Sequence, residues 1–472
     1  MPRRNLLLLV AISAVSLVCY SQADSAHRSH YGRMFDTFVE VMEKVEDKYL
    51  EPVDERELFE GALEGMVSKL DPYSEYIGPN HYNEFRENLE QEFGGIGILV
   101  GIDRDTKMLT VISPMVGTPA YEKGILAGDT ILKVNGESTE GFTSDDAQRR
   151  LRGKPDQAVH LTVLHKGASE PVELDIKRKM IEVPTVLGDT RLADGKWDYF
   201  LEGHPGIGYV RITTFGEKTV EELKTALAWL AERNVRGVIL DLRNDAGGLL
   251  TAATATCDMF LKKNDRIVST RGRDLVEIKA YDASGNGVYQ RLPLVVLVNQ
   301  YTASASEIVA ACLQDHNRAK VVGQRTWGKG SVQNVIPLEG GRSGLKLTIA
   351  SFWRPSEQNI HRRRNATDKD VWGVMPSPGY EVKFNDSELA EVMRRRRERD
   401  VVQPPGAPAT ATPPATSGPA ASKSAEKQAD EQNSQPDKPQ APDAPEEEAA
   451  ADPQLNKAVE AIEQEIAAEG RS

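Results

Sequence analysis

Apolar and polar positions along this chain change period several times, and each change marks an element. Phe35, Phe38, Val39, Met42, Val45 and Tyr49 recur at helical spacing and predict one amphipathic helix. Asp54 with Glu57 has the form of a capping box, and Leu58, Ala62, Leu63, Met66, Val67 and Leu70 make a second stripe that Asp71-Pro72 ends. Residues 31–90 are therefore expected to be helical. Between 93 and 179 the period drops to two. Gly94-Gly95-Ile96-Gly97-Ile98-Leu99-Val100 alternates around flexible backbone, Val159, Leu161 and Val163 alternate as a strand, and Ser144–Arg152 is the expected helix of this region. From 180 to 402 the two periods mix, as in an α/β layer. Strands are expected at Ile207–Phe215, Val235–Leu242 and Leu294–Val298, with the stripe Val220, Leu223, Leu227 and Leu230 as a helix. Residues 403–453 hold almost no aliphatic or aromatic side chain and cannot bury enough apolar surface to order themselves. Beyond them Leu455, Ala458, Val459, Ile462 and Ile466 predict a last amphipathic helix over 454–468.

A length of 472 residues exceeds one core, so several domains are expected. The formal charge of −13 argues against nucleic acid or an anionic membrane surface as partner. Arg3 and Arg4 precede an uncharged run whose apolar heart, Leu6 to Val18, is short for a spanning helix. Residues 1–23 read as an export signal, with Ser21-Gln22-Ala23 offering a cleavage site; left uncleaved, the signal would hold the chain at a membrane. Of three cysteines, Cys257 and Cys312 sit in apolar helical contexts and are expected as free, buried thiols. Neither zinc spacing nor a disulfide framework is present, and no metal or cofactor is expected.

The chemistry concentrates in two segments, Thr302-Ala303-Ser304-Ala305-Ser306-Glu307 and Thr326-Trp327-Gly328-Lys329-Gly330-Ser331-Val332-Gln333. A neutral lysine amine can take the proton of a serine hydroxyl and make it a nucleophile. A free lysine, with a pKa near about 10.4, is rarely neutral at pH 7; a downward shift of about 3 units costs roughly 4 kcal/mol, which an apolar setting must supply. Bulky Trp327 and the close backbone packing that Gly328 and Gly330 permit suit that task. On these residues alone, a helix start at Ser304 and a solvated lysine in a turn stand as the plain alternative. The eight histidines are scattered, and a triad of Ser304 with His316 or His361 and Asp241 has no motif to support it. Arg362–Arg364 and Arg394–Arg397 read as solvated basic runs, and Glu307 as a residue placed to suit a helix dipole.

Both segments, with Leu297-Val298-Asn299 ahead of them, resemble the carboxy-terminal processing peptidases, the tail-specific S41 serine proteases, over about Phe35 to Val382. That resemblance implies Ser304 as nucleophile, Lys329 as general base and Gln333 as the group that orients the lysine. Tyr301 stands where many relatives carry glycine. Asp241-Leu242-Arg243-Asn244-Asp245-Ala246-Gly247-Gly248 is similar to the family's Asp-Leu-Arg-Asn-x-x-Gly-Gly motif, and implies an oxyanion hole from the N–H groups of Gly247 and Ala305, with Gly248 an alternative to Gly247. Residues 93–179, with Thr118-Pro119-Ala120, Gly128-Asp129 and Val134-Asn135-Gly136, resemble a PDZ domain. Gly95, Ile96, Gly97 and Ile98 would bind a substrate's terminal carboxylate there, with β-augmentation by its tail. The implied architecture is a multidomain α/β protein: a crotonase-like ββα protease core at 180–402, an inserted PDZ domain and flanking helices. Protein or peptide substrates with apolar carboxy-terminal tails are the expected partners, with a homodimer and a regulatory adaptor as further ones. A non-catalytic PDZ scaffold is the competing reading.

Overall fold

The computed structural model describes residues 31–103, 105–192, 194–402 and 452–469. The expected export signal lies outside the described residues, as does the 403–453 segment apart from Asp452 and Pro453. Two compact units divide the chain.

The first unit holds the chain up to Gly78 together with Pro337–Lys346. Its elements are α1 (31–48), α2 (Glu55–Val67) and β1 (Glu75–Ile77). Asp54 caps α2 by accepting from the N–H groups of Arg56 and Glu57 at 2.7 and 3.1 Å. The expectation of helix throughout 31–90 fails at β1. Its residues pair antiparallel with Gly344, Leu345 and Lys346, which satisfies an extended backbone after Pro72 has ended the helical run.

In the second unit, α3 (Pro79–Glu90) and β2 (Glu92–Gly95) lead into a small β domain. Its elements are β3 (Ile98–Ile102), β4 (Leu109–Pro114), α4 (Pro119–Glu122), β5 (Thr130–Val134), β6 (Glu137–Ser138), α5 (Ser144–Leu151), β7 (Ala158–Leu164) and β8 (Val172–Lys177). The order is β3-β4-β5-β7-β8 with β6 on β5, so β3 is an edge strand. Leu109, Val111, Ile131, Val159, Leu161, Val163 and Ile176 fill the interior with Ala147 and Leu151 of α5. β9 (Lys179–Glu182) returns to pair with β2.

The larger core continues through β10 (Val186–Leu187), the hairpin β11 (Thr190–Arg191) and β12 (Trp197–Asp198), β13 (Ile207–Ile212), α6 (Thr219–Ala231), β14 (Gly237–Asp241) and α7 (Leu250–Asp258). Then follow β15 (Arg266–Arg271), β16 (Glu277–Asp282), β17 (Leu294–Val298), α8 (Ala305–Asp315), β18 (Lys320–Gly323), β19 (Ser331–Leu338), β20 (Ser343–Trp353), α9 (Asp386–Asp400) and α10 (Pro453–Glu469). The central sheet runs β10-β13-β14-β17-β18, parallel from β13 to β18. Successive side chains leave opposite faces, so both faces must be covered. Val238, Leu240, Val296 and Val298 pack with α6, α7 and α8, while Ile239, Val295 and Leu297 pack with Ala458, Val459 and Ile462 of α10. Gly237 lets α10 approach: a Cβ there would fall 2.9 Å from Ile462 Cγ1. Cys257 and Cys312 are free and buried.

Candidate active site

β17 delivers the chain, at its carboxyl end, into a turn locked by buried polar side chains. Asn299 Oδ1 accepts from the N–H groups of Asn244 (3.0 Å) and Tyr301 (3.1 Å), and Thr302 Oγ1 donates to the Leu242 carbonyl at 2.8 Å. Ser304 follows with φ 58° and ψ −116° at the N-cap of α8. That conformation costs a non-glycine residue about 1–3 kcal/mol and persists only where the surroundings over-determine it. The side chain stays 8% exposed at the positive end of an 11-residue helix.

What over-determines it is Glu307. This carboxylate, fully buried, accepts at Oε2 from the N–H groups of both Ser304 and Lys329, each at 2.8 Å. At Oε1 it accepts from Thr326 Oγ1 (2.5 Å) and the Gly328 N–H (2.7 Å). One side chain therefore ties the expected nucleophile to the segment of the expected base. Burial pushes the Glu307 carboxyl up to about 7, against the pull of those four donors. Further bonds fix the lysine segment: Trp327 N–H donates to the Thr302 carbonyl at 2.9 Å, and Thr326 Oγ1 accepts from Val374 N–H at 2.7 Å. Gly328 has φ +88°, and a Cβ there would fall 2.7 Å from Arg362 Cβ. Trp327 is itself 38% exposed, so the apolar cover expected of it is only partial; Trp372 is buried beside Gly328, with Arg325 and Arg362 on its ring.

Gln333 donates from Nε2 to Ser331 Oγ (2.8 Å) and Thr348 Oγ1 (3.1 Å). This leaves Oε1 as its side-chain atom able to accept from a lysine amine.

The Asp-Leu-Arg-Asn turn lies on the other side of Ser304. Asp241 pairs with Arg243 at 2.7 Å and accepts from the Tyr209 hydroxyl at 2.6 Å. Burial alone would raise the Asp241 carboxyl; Arg243 and Tyr209 outweigh it and hold it below the ordinary range. Arg243 also reaches Asp452 at 2.9 Å, which pins the start of α10 to this turn. Asp241 is thus committed, and His316 Nε2 is set instead against the Arg266 carbonyl at 2.7 Å, so His316 forms no triad with Asp241. Gly247 lies against the Ser304 segment: a Cβ on it would lie 2.8 Å from Ser304 Cβ and from Ala305 N. Its N–H, however, donates to Asp245 Oδ1 at 2.8 Å. The N–H groups of Ala305 and Gly248 meet no acceptor among the described residues.

The four residues expected to hold a substrate tail run from the end of β2 to the start of β3. Gly95 pairs with Lys179, the carbonyl of buried Ile96 accepts from Ala120 N–H at 3.0 Å, and Ile98 opens β3 opposite Pro114. Gly97 has φ +79°, and a Cβ on it would fall 2.3 Å from Thr118 Cβ. The N–H groups of Ile96 and Gly97 have no acceptor among the described residues.

Sequence reasoning missed the junction made by Glu307. A signal was present: a glutamate inside Ala305–Leu313, a segment apolar on every side, must be buried and must find partners. It also read Arg394–Arg397 as solvated, whereas Arg396 is largely buried, 2.9 Å from Asp189, because α9 turns one arginine of the run inward.

Comparison with known sequences places matches along most of this chain. Family models match for the CtpB-type activating protease N-terminal domain (14–80), the PDZ domain (85–164) and peptidase family S41 (206–371). A carboxy-terminal-processing protease of Bartonella bacilliformis is 35% identical over 397 residues, covering 83% of this chain and 88% of that protein. CtpB of Bacillus subtilis, a carboxy-terminal processing protease, is 31% identical over 369 residues, covering 76% and 71%. Among solved structures, a photosystem II D1 C-terminal processing protease aligns with 28% identity and a TM-score of 0.41, over 73% of this chain and 92% of that one.

Proposed function

This chain belongs to the carboxy-terminal processing proteases of peptidase family S41, and from that premise we propose how its residues share the work. Ser304 is the nucleophile, Lys329 Nζ removes its proton, and Gln333 Oε1 orients the lysine amine. The observation that carries this reading is the shared oxygen of Glu307, which receives the backbone N–H of both Ser304 and Lys329. The Ser304 bond is the N3 arm of a helix capping box, and the same oxygen's bond to Lys329 N–H extends that cap to the lysine segment. Acylation of Ser304 places negative charge on the substrate carbonyl oxygen at the start of α8, where Ala305 N–H and the Gly247–Gly248 turn supply donors. The lysine ammonium gives its proton to the leaving amine, and the neutral Lys329 then deprotonates the water that hydrolyses the acyl-enzyme and releases the product.

The open edge of β3, with α5 beside it, suits addition of an extended peptide as a further strand. The N–H groups of Ile96 and Gly97 are placed to receive its terminal carboxylate. We read the substrate as an unstructured protein with an apolar carboxy-terminal tail, and the enzyme as exported, from the Arg3-Arg4 start and the apolar run after it. The parallel sheet β13-β14-β17-β18 with its helices is read as a crotonase-like core.

The test is cleavage of an unfolded protein carrying an apolar carboxy-terminal tail, by the full chain and by Ser304→Ala. Cleavage by the parent alone is expected; equal cleavage by the variant refutes Ser304 as nucleophile.

A further inference from the structure

Asp245 sits where none of these steps uses it. It is fully buried, and its Oδ1 accepts from the Gly247 N–H at 2.8 Å while Oδ2 has no hydrogen-bond partner among the described residues. Its own carbonyl accepts from Ala303 N–H at 2.9 Å and Ser306 Oγ at 3.2 Å, the residues on either side of Ser304 and Ala305. The Gly247 backbone is close enough to Ser304 that no Cβ fits between them. A donor in that position is useful to a developing oxyanion only while its N–H points at the reacting oxygen. Here it points at a carboxyl. We propose that Asp245 is a latch on the oxyanion hole, holding the Gly247 N–H away from the nucleophile until the side chain lets go.

The proposal rests on Ser304 as nucleophile and on Gly247 as a donor. An ionised latch holds harder than a neutral one, because a hydrogen bond to a charged acceptor is roughly twice as strong. Burial pushes the Asp245 carboxyl up to about 8, so the latch tightens as pH rises through about 8. The groups set against it are neutral, the Gly247 N–H of its own turn and the Ser306 hydroxyl of α8. Charged side chains on the neighbouring elements are engaged elsewhere: Asp241 with Arg243, Arg243 also with Asp452, and Glu307 with its four donors. The proposed base Lys329 acts when neutral, so its deprotonation favours the reaction while that of Asp245 opposes it.

The measurement is the rate at which a fluorophosphonate labels Ser304 from pH 6 to 10, in the full chain and in Asp245→Asn. This reagent needs the nucleophile and the hole but no tail capture. The parent is expected to lose rate above pH 8, about tenfold by pH 9 for one ionisation near 8. In Asp245→Asn, which cannot ionise, that alkaline limb is expected to vanish. A merely structural aspartate would shift the whole profile without removing one limb. A parent with no fall above pH 8 overturns the latch whether or not the variant folds, and so does a limb that survives in Asp245→Asn. Failure of the Ser304 reading is seen separately, as labelling that persists in Ser304→Ala.

Discussion

Two residues with buried carboxyls, Glu307 and Asp245, bond the segment around Ser304, and the surroundings of those carboxyls differ in kind. Glu307 has four donors for two oxygens and no capacity left over. Asp245 has one backbone donor at Oδ1 and an Oδ2 with no partner among the described residues. Burial raises both, to about 7 and about 8, and the better-solvated carboxylate is the one raised less from its ordinary value. A fully satisfied buried acid makes a rigid staple, while a half-satisfied one stays ready to change state. On this account the segments of Ser304 and Lys329 are held permanently together, and the adjustable part of the site is the oxyanion turn.

The comparison breaks most sharply at Glu307→Ala. Three backbone N–H groups and the Thr326 hydroxyl lose their acceptor together. At about 1–3 kcal/mol for each buried group left unsatisfied, a fall in kcat on the order of 1,000-fold with a lowered Tm is expected from peptide kinetics and thermal melting. Glu307→Gln keeps one acceptor oxygen and turns an amide toward two of the same donors. An intermediate loss in kcat of roughly 10- to 100-fold with KM unchanged is the expected result.

Asp245→Asn should do the reverse to stability. The ordinary value of 3.8 rises to about 8 in the fold, so the folded chain binds this proton more tightly than the unfolded chain. Its contribution to stability is complete below about 4 and is lost as pH rises through about 8. A residue that cannot ionise avoids that loss, and melting at pH 8.5 should show Asp245→Asn raised by about 2–4 °C relative to the parent. A lowered Tm at that pH would mean the two carboxyls are alike after all. An effect of similar size and opposite sign is expected from Thr326→Val, which removes one donor to Glu307 and the acceptor of Val374 N–H. A loss of about 1–2 kcal/mol, read by denaturant midpoint, is the expectation.

Much of this architecture could be read from periodicity. Leu294–Val298 has five consecutive apolar residues, which a strand buried on both faces demands, and it is observed with those bounds. The stripe Leu455, Ala458, Val459, Ile462 and Ile466 predicted the helix seen at Pro453–Glu469. β1 escaped because its three residues are extended only by pairing with Gly344–Lys346, a partner far along the chain. The residues around Ser304 and Lys329 were legible as motifs, yet the atom that joins them was not. Glu307 acts through segments about 20 residues away, and a one-dimensional pattern carries no record of which buried donors converge on it. Asp245 was harder still, since its reach to Gly247 depends on the shape of a single turn.

The central claim, that Lys329 serves Ser304 as base, is tested most directly by Lys329→Ala, comparing its cleavage of an unfolded, apolar-tailed protein with its binding of the same tail. The account predicts that cleavage is lost and tail binding to the PDZ domain is kept. Cleavage at the parent's rate with the lysine gone would contradict it.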